Sequence, residues 1–193
     1  IEGLIFGMQP AVEFSSILNN VFFSELFHFG YVSYFLMIPG LPFILYIKNR
    51  QEEFKQVVFG ITVTFLVCYI IFIFIPVAGP RFALASSFNG EVKSILFRKI
   101  IFFIFERGAI KGAAFPSSHV AVAVCILLNA FKYHKKVFKI FLPFVICLFL
   151  GTIYGRFHYV LDSAAGALCG ILLFYLGNFV YIILKKRDRQ QKE

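Results

Sequence analysis

The sequence has few charges and no tryptophan. Only 15% of its 193 residues are charged, whereas 60% are hydrophobic, and the mean hydropathy is +0.82. A composition this hydrophobic and this poor in charge excludes an ordinary soluble protein. We therefore predict an integral membrane protein that forms one domain over residues 1–193. The 28 phenylalanines are typical of lipid-facing and core packing rather than of an aromatic binding site.

Several familiar site motifs are also absent. The four cysteines lie inside apolar runs at spacings that match no disulfide or metal motif, so we interpret them as small core residues. The His-Glu-x-x-His of zinc proteases and the Gly-x-Ser-x-Gly of serine hydrolases do not occur. A haem between two histidines is another option for membrane helices, but it would have little use for Arg156 and Asp162 beside one of them.

Long apolar runs dominate what remains. A helix of about 20 residues crosses the hydrocarbon layer, and runs of about this length recur near 26–47, 56–75, 116–131, 137–155 and 158–184. The runs are continuous rather than alternating, which disfavours a β-barrel. The sequence therefore predicts an all-α integral membrane protein with five transmembrane helices.

The regions between the apolar runs are more polar, but their residue patterns predict ordered structure. Residues 1–24 are amphipathic and predict a helix lying in the membrane interface. Pro39 and Pro42 predict a kink in the first span unless neighbouring groups satisfy the freed backbone. The long loop 77–115 contains an amphipathic stretch from Glu91 to Glu106, and ordered loops of this length are usually functional.

The formal charge of +9 indicates topology rather than a nucleic-acid partner. The turns 48–55 and 132–139 and the tail from residue 185 hold twelve Lys and Arg residues, against seven on the other side. The positive-inside rule therefore places the turns and the tail in the cytoplasm. Five spans would then leave the start of the chain outside, so we expect a sixth span upstream.

Two polar stretches contain the candidate catalytic histidines. His158 and Asp162 are four residues apart, so on a helix they would share one face, where the carboxylate can orient the imidazole and stabilise its charged form. His119 follows Pro116, which suits the first turn of a helix, and two serines. Free N–H groups in such a turn favour an anion. An anion site beside a prepared nucleophile indicates phosphoryl chemistry.

These residues resemble the signature of the type 2 phosphatidic acid phosphatase (PAP2) superfamily of membrane enzymes. Its parts are a Lys with Arg-Pro seven residues on, a Pro-Ser-Gly-His turn, and an Arg followed by a His and an Asp four residues later. Residues 116–119 match the turn, with Ser118 in place of Gly. His158 and Asp162 match the third part, and Arg81 matches the first in part because it follows a proline. The resemblance covers about 75–170.

Two cations of the signature are missing. Phe74 stands at the position of the family lysine, and Thr152 at that of the third-part arginine. Arg156, two residues before His158, is one candidate replacement. Lys111 or Arg107, just before the serine turn, is the other.

The resemblance implies roles for the matched residues. His158 would attack phosphorus to give a phosphohistidine, with Asp162 holding its ring, and His119 would protonate the leaving oxygen and later activate water. No metal and no cofactor would be needed. The phosphate-binding residues would be Arg81, Ser117, Ser118, Arg156 and Lys111.

The resulting prediction is a lipid phosphatase acting on a lipid phosphate or diphosphate at the outer face of a bacterial inner membrane. Its partners would be the lipid substrate and the bilayer. One alternative is a phosphotransferase that uses an alcohol as acceptor, and another is a non-catalytic lipid binder or transporter on the same scaffold. The sequence does not distinguish phosphatidic acid, phosphatidylglycerol phosphate, a polyprenyl diphosphate and lipid A phosphates, nor does it indicate the oligomeric state.

Overall fold

The structure is a computed structural model that describes residues 2–88, 90, 92–108 and 110–191. Glu91, where the amphipathic stretch was predicted to begin, lies outside the described residues. The helices are α1 Glu2–Phe6, α2 Pro10–Ile17, α3 Val21–Ile47, α4 Gln51–Phe74, α5 Pro80–Ala83, α6 Phe97–Gly108, α7 Ser118–Tyr133, α8 Lys135–Tyr154 and α9 Val160–Gln190, and one 3₁₀ turn spans Ala85–Ser87.

The all-α membrane fold is confirmed, but the prediction of five spans is corrected to four within the residues that the structure describes. The helices α3, α4, α8 and α9 are long and apolar enough to cross a membrane. The third predicted span became α7, which has only 16 residues. At 1.5 Å per residue it extends about 24 Å, less than the roughly 30 Å of hydrocarbon.

Several boundaries differ from the prediction because local caps decide them. The amphipathic N-terminal region forms two short helices, α1 and α2, instead of one. The first span begins earlier than predicted because the Asn20 side chain accepts a hydrogen bond from Phe23 N and caps α3. Helix α3 then continues through Pro39 and Pro42.

Close helix packing sets the position of the site. Helix α3 packs against α8, and α7 packs against α9. A Cβ atom on Gly166 would collide with the Ser117 carbonyl oxygen, and one on Gly170 with that of Ala121. Glycine at these two positions therefore lets the second and third turns of α9 approach the first turn of α7 closely.

The loops that connect the helices meet at one end of the bundle. The chain after α4 and the chain before α7 form an isolated parallel bridge between Val77 and Ala113. Val77 N donates to the Gly112 carbonyl over 3.1 Å, and Ala114 N donates to the Val77 carbonyl over 3.0 Å. This bridge fixes Ala114 beside the start of α9.

Candidate active site

A cavity of about 400 Å³ opens where these loops meet the bundle. Both predicted catalytic histidines line it, together with Arg81, Lys111 and Ser118. Its other wall is aromatic and comes from α3 and α4, including Phe35, Phe65, Tyr69 and Phe72. Residues that are far apart in the sequence thus share one polar site with an apolar side.

His158 is held by a backbone carbonyl. Its Nδ1 lies 2.9 Å from the Ala114 oxygen, and the side chain is buried. Because a carbonyl only accepts hydrogen bonds, this contact places the proton on Nδ1. The lone pair of Nε2 is then left for chemistry in the cavity.

Asp162 lies near His158 but serves first as a helix cap. Its Oδ2 accepts a hydrogen bond from Tyr159 N at 2.9 Å and lies 3.9 Å from His158 Nδ1. Helix α9 begins only at Val160, so His158 lies before the helix and the two residues do not share a helical face. The carboxylate contributes charge at ion-pair distance, while Ala114 orients the ring.

His119 stands on the other side of the cavity. Its Nε2 is 2.9 Å from the Tyr31 hydroxyl, and the two imidazole centroids of His119 and His158 are 5.9 Å apart. Its Nδ1 is buried and has no hydrogen-bond partner within the described ranges. One ring nitrogen is therefore positioned by the protein, and the other is a buried polar atom without a described partner.

The two serines of the turn have different positions. Ser117 is fully buried, caps α7 by accepting a 3.4 Å hydrogen bond from Val120 N, and donates its own N–H to the Asp162 carbonyl. It does not line the cavity, whereas Ser118 does. The N–H groups of Ser118 and His119 belong to the first turn of α7, where no intrahelical acceptor exists.

Arg81 and Lys111 are the cations of the cavity wall. The Arg81 guanidinium stacks between two phenyl rings, 4.3 Å from the Phe82 centroid and 4.4 Å from that of Phe105. Burial lowers the pKa of Arg81, because apolar surroundings disfavour its charged form. It forms no ion pair within the described residues, so an anion in the cavity would stabilise its charge.

Arg156, like Ser117, is a predicted site residue that the structure places outside the histidine cavity. It lines a neighbouring cavity, not the one that contains the histidines. Arg107 lies outside both cavities, with its guanidinium 3.6 Å from the Phe103 centroid. Of the proposed replacements for the missing signature cations, only Lys111 lines the histidine cavity.

The positions of the missing cations are occupied by residues that suit their surroundings. Phe74 is 79% exposed on the outside of the bundle. Thr152 is fully buried, and its hydroxyl lies 2.8 Å from Ser163 Oγ. The Thr152 carbonyl also accepts hydrogen bonds from Phe157 N and His158 N, each at 3.0 Å. Thr152 therefore supports the backbone of the His158 corner instead of binding phosphate.

Sequence reasoning missed Tyr31 and Ala114. Tyr31 was one of several tyrosines in apolar runs, and only its proximity to His119 distinguishes it. Ala114 acts through its carbonyl, which leaves no trace in residue type. No group of three or more His, Cys, Asp or Glu side chains that could hold a metal ion occurs within residues 2–88, 90, 92–108 and 110–191.

Comparisons with known proteins agree with this architecture. The chain is 23% identical over 165 residues to the uncharacterized protein MJ0662 of Methanocaldococcus jannaschii, covering 86% of this chain and 64% of that protein. The crystal structure of Aquifex aeolicus LpxE matches with a TM-score of 0.56 and 22% identity, covering 86% of this chain and 92% of LpxE. The latter similarity concerns the fold.

The family assignment rests on nearly the whole chain. The PAP2 superfamily matches residues 2–176, which include the serine turn, both histidines of the cavity and Asp162. The match extends well beyond the 75–170 region of the sequence resemblance and takes in α3, which carries Tyr31. The chain therefore belongs to the PAP2 superfamily, as a multi-pass helical membrane protein.

Proposed function

We propose that this single-domain protein, residues 1–193, is a phosphatase that hydrolyses a lipid phosphate or diphosphate through a phosphohistidine. The setting of His158 carries the proposal. Its Nδ1 donates to the Ala114 carbonyl at 2.9 Å, which leaves the Nε2 lone pair in a cavity that His119 and two cations also line. A neutral, oriented imidazole of this kind is a competent nucleophile.

In the first step, His158 Nε2 attacks phosphorus while the bond from phosphorus to the leaving oxygen breaks. His119 donates a proton to that oxygen, so that the lipid leaves as an alcohol or, from a diphosphate, as a monophosphate. The phosphorylated ring of His158 is positively charged. Asp162, 3.9 Å from Nδ1, stabilises that charge.

In the second step, water attacks the phosphohistidine. His119, now neutral, accepts a proton from the water as the new oxygen–phosphorus bond forms and the nitrogen–phosphorus bond breaks. Inorganic phosphate leaves, and both histidines return to their starting protonation. The side chains of the protein supply every proton transfer in this cycle, so no metal ion is required.

The phosphoryl oxygens would be held by Arg81, Lys111 and the Ser118 hydroxyl, together with the first N–H groups of α7. Charged donors in a site with apolar walls stabilise the transferring group strongly. Ser117 and Arg156, which were predicted as ligands, do not line this cavity. In this proposal Ser117 acts as the cap of α7, where its side chain accepts a hydrogen bond from Val120 N.

The aromatic wall supports a lipid as substrate. Tyr69 of α4 is 49% exposed on the outer surface of the bundle and also lines the cavity, so a lipid can enter from the side. The twelve-to-seven distribution of Lys and Arg supports a site on the outer face of a bacterial inner membrane. We expect preference for lipid over water-soluble phosphate esters.

The test is phosphate release from a panel of lipid phosphates in detergent with a chelator present. We expect release by the wild type and a loss of at least about 10³-fold in His158→Ala. His134→Ala is the matched control, because His134 caps α8 at the other end of the bundle and should not affect turnover.

Release that stops on chelation would contradict the metal-free cycle. Transfer to an added alcohol without net phosphate release would favour the phosphotransferase. If neither reaction occurs although lipid phosphates bind, the protein is a lipid binder on the same scaffold.

A further inference from the structure

A second cavity of about 490 Å³ lies beside the histidine cavity. Three arginines line it, Arg81, Arg98 and Arg156, and the one carboxylate on its described wall is the exposed Glu106. The cycle proposed above uses Arg81 alone among these three. The other two are buried or half-buried cations without a role in that cycle.

Arg156 is built into this second cavity. The side chain is 8% exposed, with Nε 3.0 Å from Ser15 Oγ and Cζ 4.1 Å from the Phe88 centroid. Its backbone has φ of +64°, which L-residues rarely adopt, and its carbonyl accepts a 2.9 Å hydrogen bond from Arg81 N. The fold therefore holds this guanidinium in place at the expense of backbone strain.

The partners of Arg156 do not neutralise its charge. Besides Ser15 it donates to the Gly90 carbonyl at 3.3 Å, and both acceptors are neutral. Burial, and then the nearby Arg98 charge, lower the pKa of Arg156. An anion beside Arg156 would therefore stabilise its charged form.

Arg98 completes the cavity from α6. Its guanidinium lies 4.6 Å from the Phe102 centroid, and Phe102 also lines the cavity. Four phenyl rings of this cavity thus pack against the three guanidinium groups, which come from three separate segments of the chain. Planar guanidinium groups are well suited to bind phosphate oxygens two at a time.

The two cavities share a wall. Arg81, Phe82 and Phe105 line both of them, so an anion bound by Arg98 and Arg156 would lie next to the phosphoryl group at His158. We propose that the arginine cavity is a second anion site that binds the inner phosphate of a lipid diphosphate while His158 attacks the outer one. This proposal rests on the proposed phosphatase activity.

In this arrangement the outer phosphorus is transferred to His158 and the bridging oxygen leaves with the inner phosphate. The leaving group is a lipid monophosphate, whose developing charge the arginine cavity stabilises. Free inorganic diphosphate presents the same phosphate groups as the head group of a lipid diphosphate. The experiment therefore has two arms, one for the lipid and one for the free anion.

The kinetic arm compares farnesyl diphosphate with farnesyl monophosphate in detergent. We expect Arg98→Gln to lower the ratio of kcat/KM for diphosphate over monophosphate at least about tenfold, and Arg98→Lys to restore part of it, because a point charge replaces the guanidinium. Lys99→Gln is the control, because Lys99 is exposed on the same helix and lines neither cavity. An unchanged ratio in Arg98→Gln would overturn the proposal.

The binding arm measures inorganic diphosphate by calorimetry. We expect His158→Ala to retain binding and Arg98→Gln to weaken it about tenfold. If the wild type hydrolyses neither lipid but diphosphate binding depends on Arg98, the phosphatase fails and the anion site stands. If both lipids are hydrolysed and Arg98→Gln binds inorganic diphosphate as well as the wild type does, only the proposal of the anion site fails. If diphosphate binding depends on Arg98 but the ratio of kcat/KM for diphosphate over monophosphate is unchanged, the cavity binds free diphosphate. That result would overturn the proposal that it binds the inner phosphate of the lipid substrate.

Discussion

The two ends of the helix bundle both contain clusters of polar groups, but they use them differently. At the end opposite the histidines, a polar network consists of Arg50, Glu53, Gln56, Lys132, Tyr133 and Asn178. Tyr133 OH donates to Gln56 Oε1 at 2.7 Å, and Gln56 donates in turn to Asn178. Asn178 also accepts from Lys132 and donates to the Phe174 carbonyl. This network ties α4, α7 and α9 together.

The histidine end leaves polar groups unsatisfied. His119 Nδ1 is buried without a hydrogen-bond partner in the described parts of the chain, and Arg81 rests on two phenyl rings instead of a carboxylate. Such groups cost stability unless a ligand completes them. A satisfied network thus stabilises the fold, whereas in the proposed function the unsatisfied groups of the cavity are completed by a substrate.

Among variants that keep both histidines, the largest effect should come from removing the charge of Asp162. In Asp162→Asn the side-chain oxygen can still accept from Tyr159 N, so the cap of α9 is retained while the charge beside His158 is lost. In the proposed cycle the phosphorylated ring of His158 is positively charged, and the carboxylate 3.9 Å away stabilises that charge, so we expect kcat to fall about 10–100-fold without it. Steady-state phosphate release measures this.

The control for that experiment is the unfolding midpoint in detergent. It should change little in Asp162→Asn and more in Asp162→Ala, which loses the cap as well. Unchanged turnover in Asp162→Asn would show that the carboxylate only caps the helix, and the histidine end would then resemble the other end in this respect.

A change in the polar network should have the opposite signature. Asn178→Leu leaves Gln56 and Lys132 without their shared acceptor, so we expect the free energy of unfolding to fall by about 1–3 kcal/mol. Denaturant titration in micelles measures this. Turnover per folded molecule should stay within about twofold, because the network lies at the far end of the bundle.

Asn178→Asp is the matched variant for this prediction. It keeps the acceptor for Gln56 and Lys132 but loses the donor to the Phe174 carbonyl, so its stability should lie between those of the other two proteins. If Asn178→Leu lost turnover but kept normal stability, the proposed difference would be wrong, because the polar network at the far end would then serve turnover instead of stability.

The smallest effect should come from Tyr31, which positions His119. Tyr31→Phe keeps the ring and removes the hydroxyl that lies 2.9 Å from His119 Nε2, so we expect kcat to fall about 3–10-fold. The pH profile of kcat should shift as well, because His119 loses the group that holds one of its nitrogens. Tyr34→Phe is the control.

Tyr34 is suited to that purpose because its ring also lies beside His119, 5.0 Å between centroids, while its hydroxyl forms no hydrogen bond with the imidazole. Equal losses in both variants, with no shift of the pH profile, would mean that Tyr31 contributes packing alone.

The sequence by itself determined the class of fold and the family. Continuous apolar runs allow only helices to satisfy the backbone inside lipid, so the all-α membrane fold follows from composition and run length. The spacing of His158 and Asp162 and the serine turn before His119 were enough to indicate the PAP2 superfamily, because those residue types are costly near hydrocarbon and rarely occur there without a function. These features are local in the chain.

Only the tertiary structure decided which groups meet. It assigned the orientation of His158 to the Ala114 carbonyl, brought Tyr31 to His119, and moved Arg156 into a separate cavity with Arg98. Backbone carbonyls have no signature in residue type, and the direction of a side chain depends on how loops pack across the end of the bundle. The length of α7 was also not evident from hydropathy. Its cap at Ser117 and its end at His134 depend on hydrogen bonds, which a hydropathy profile does not show.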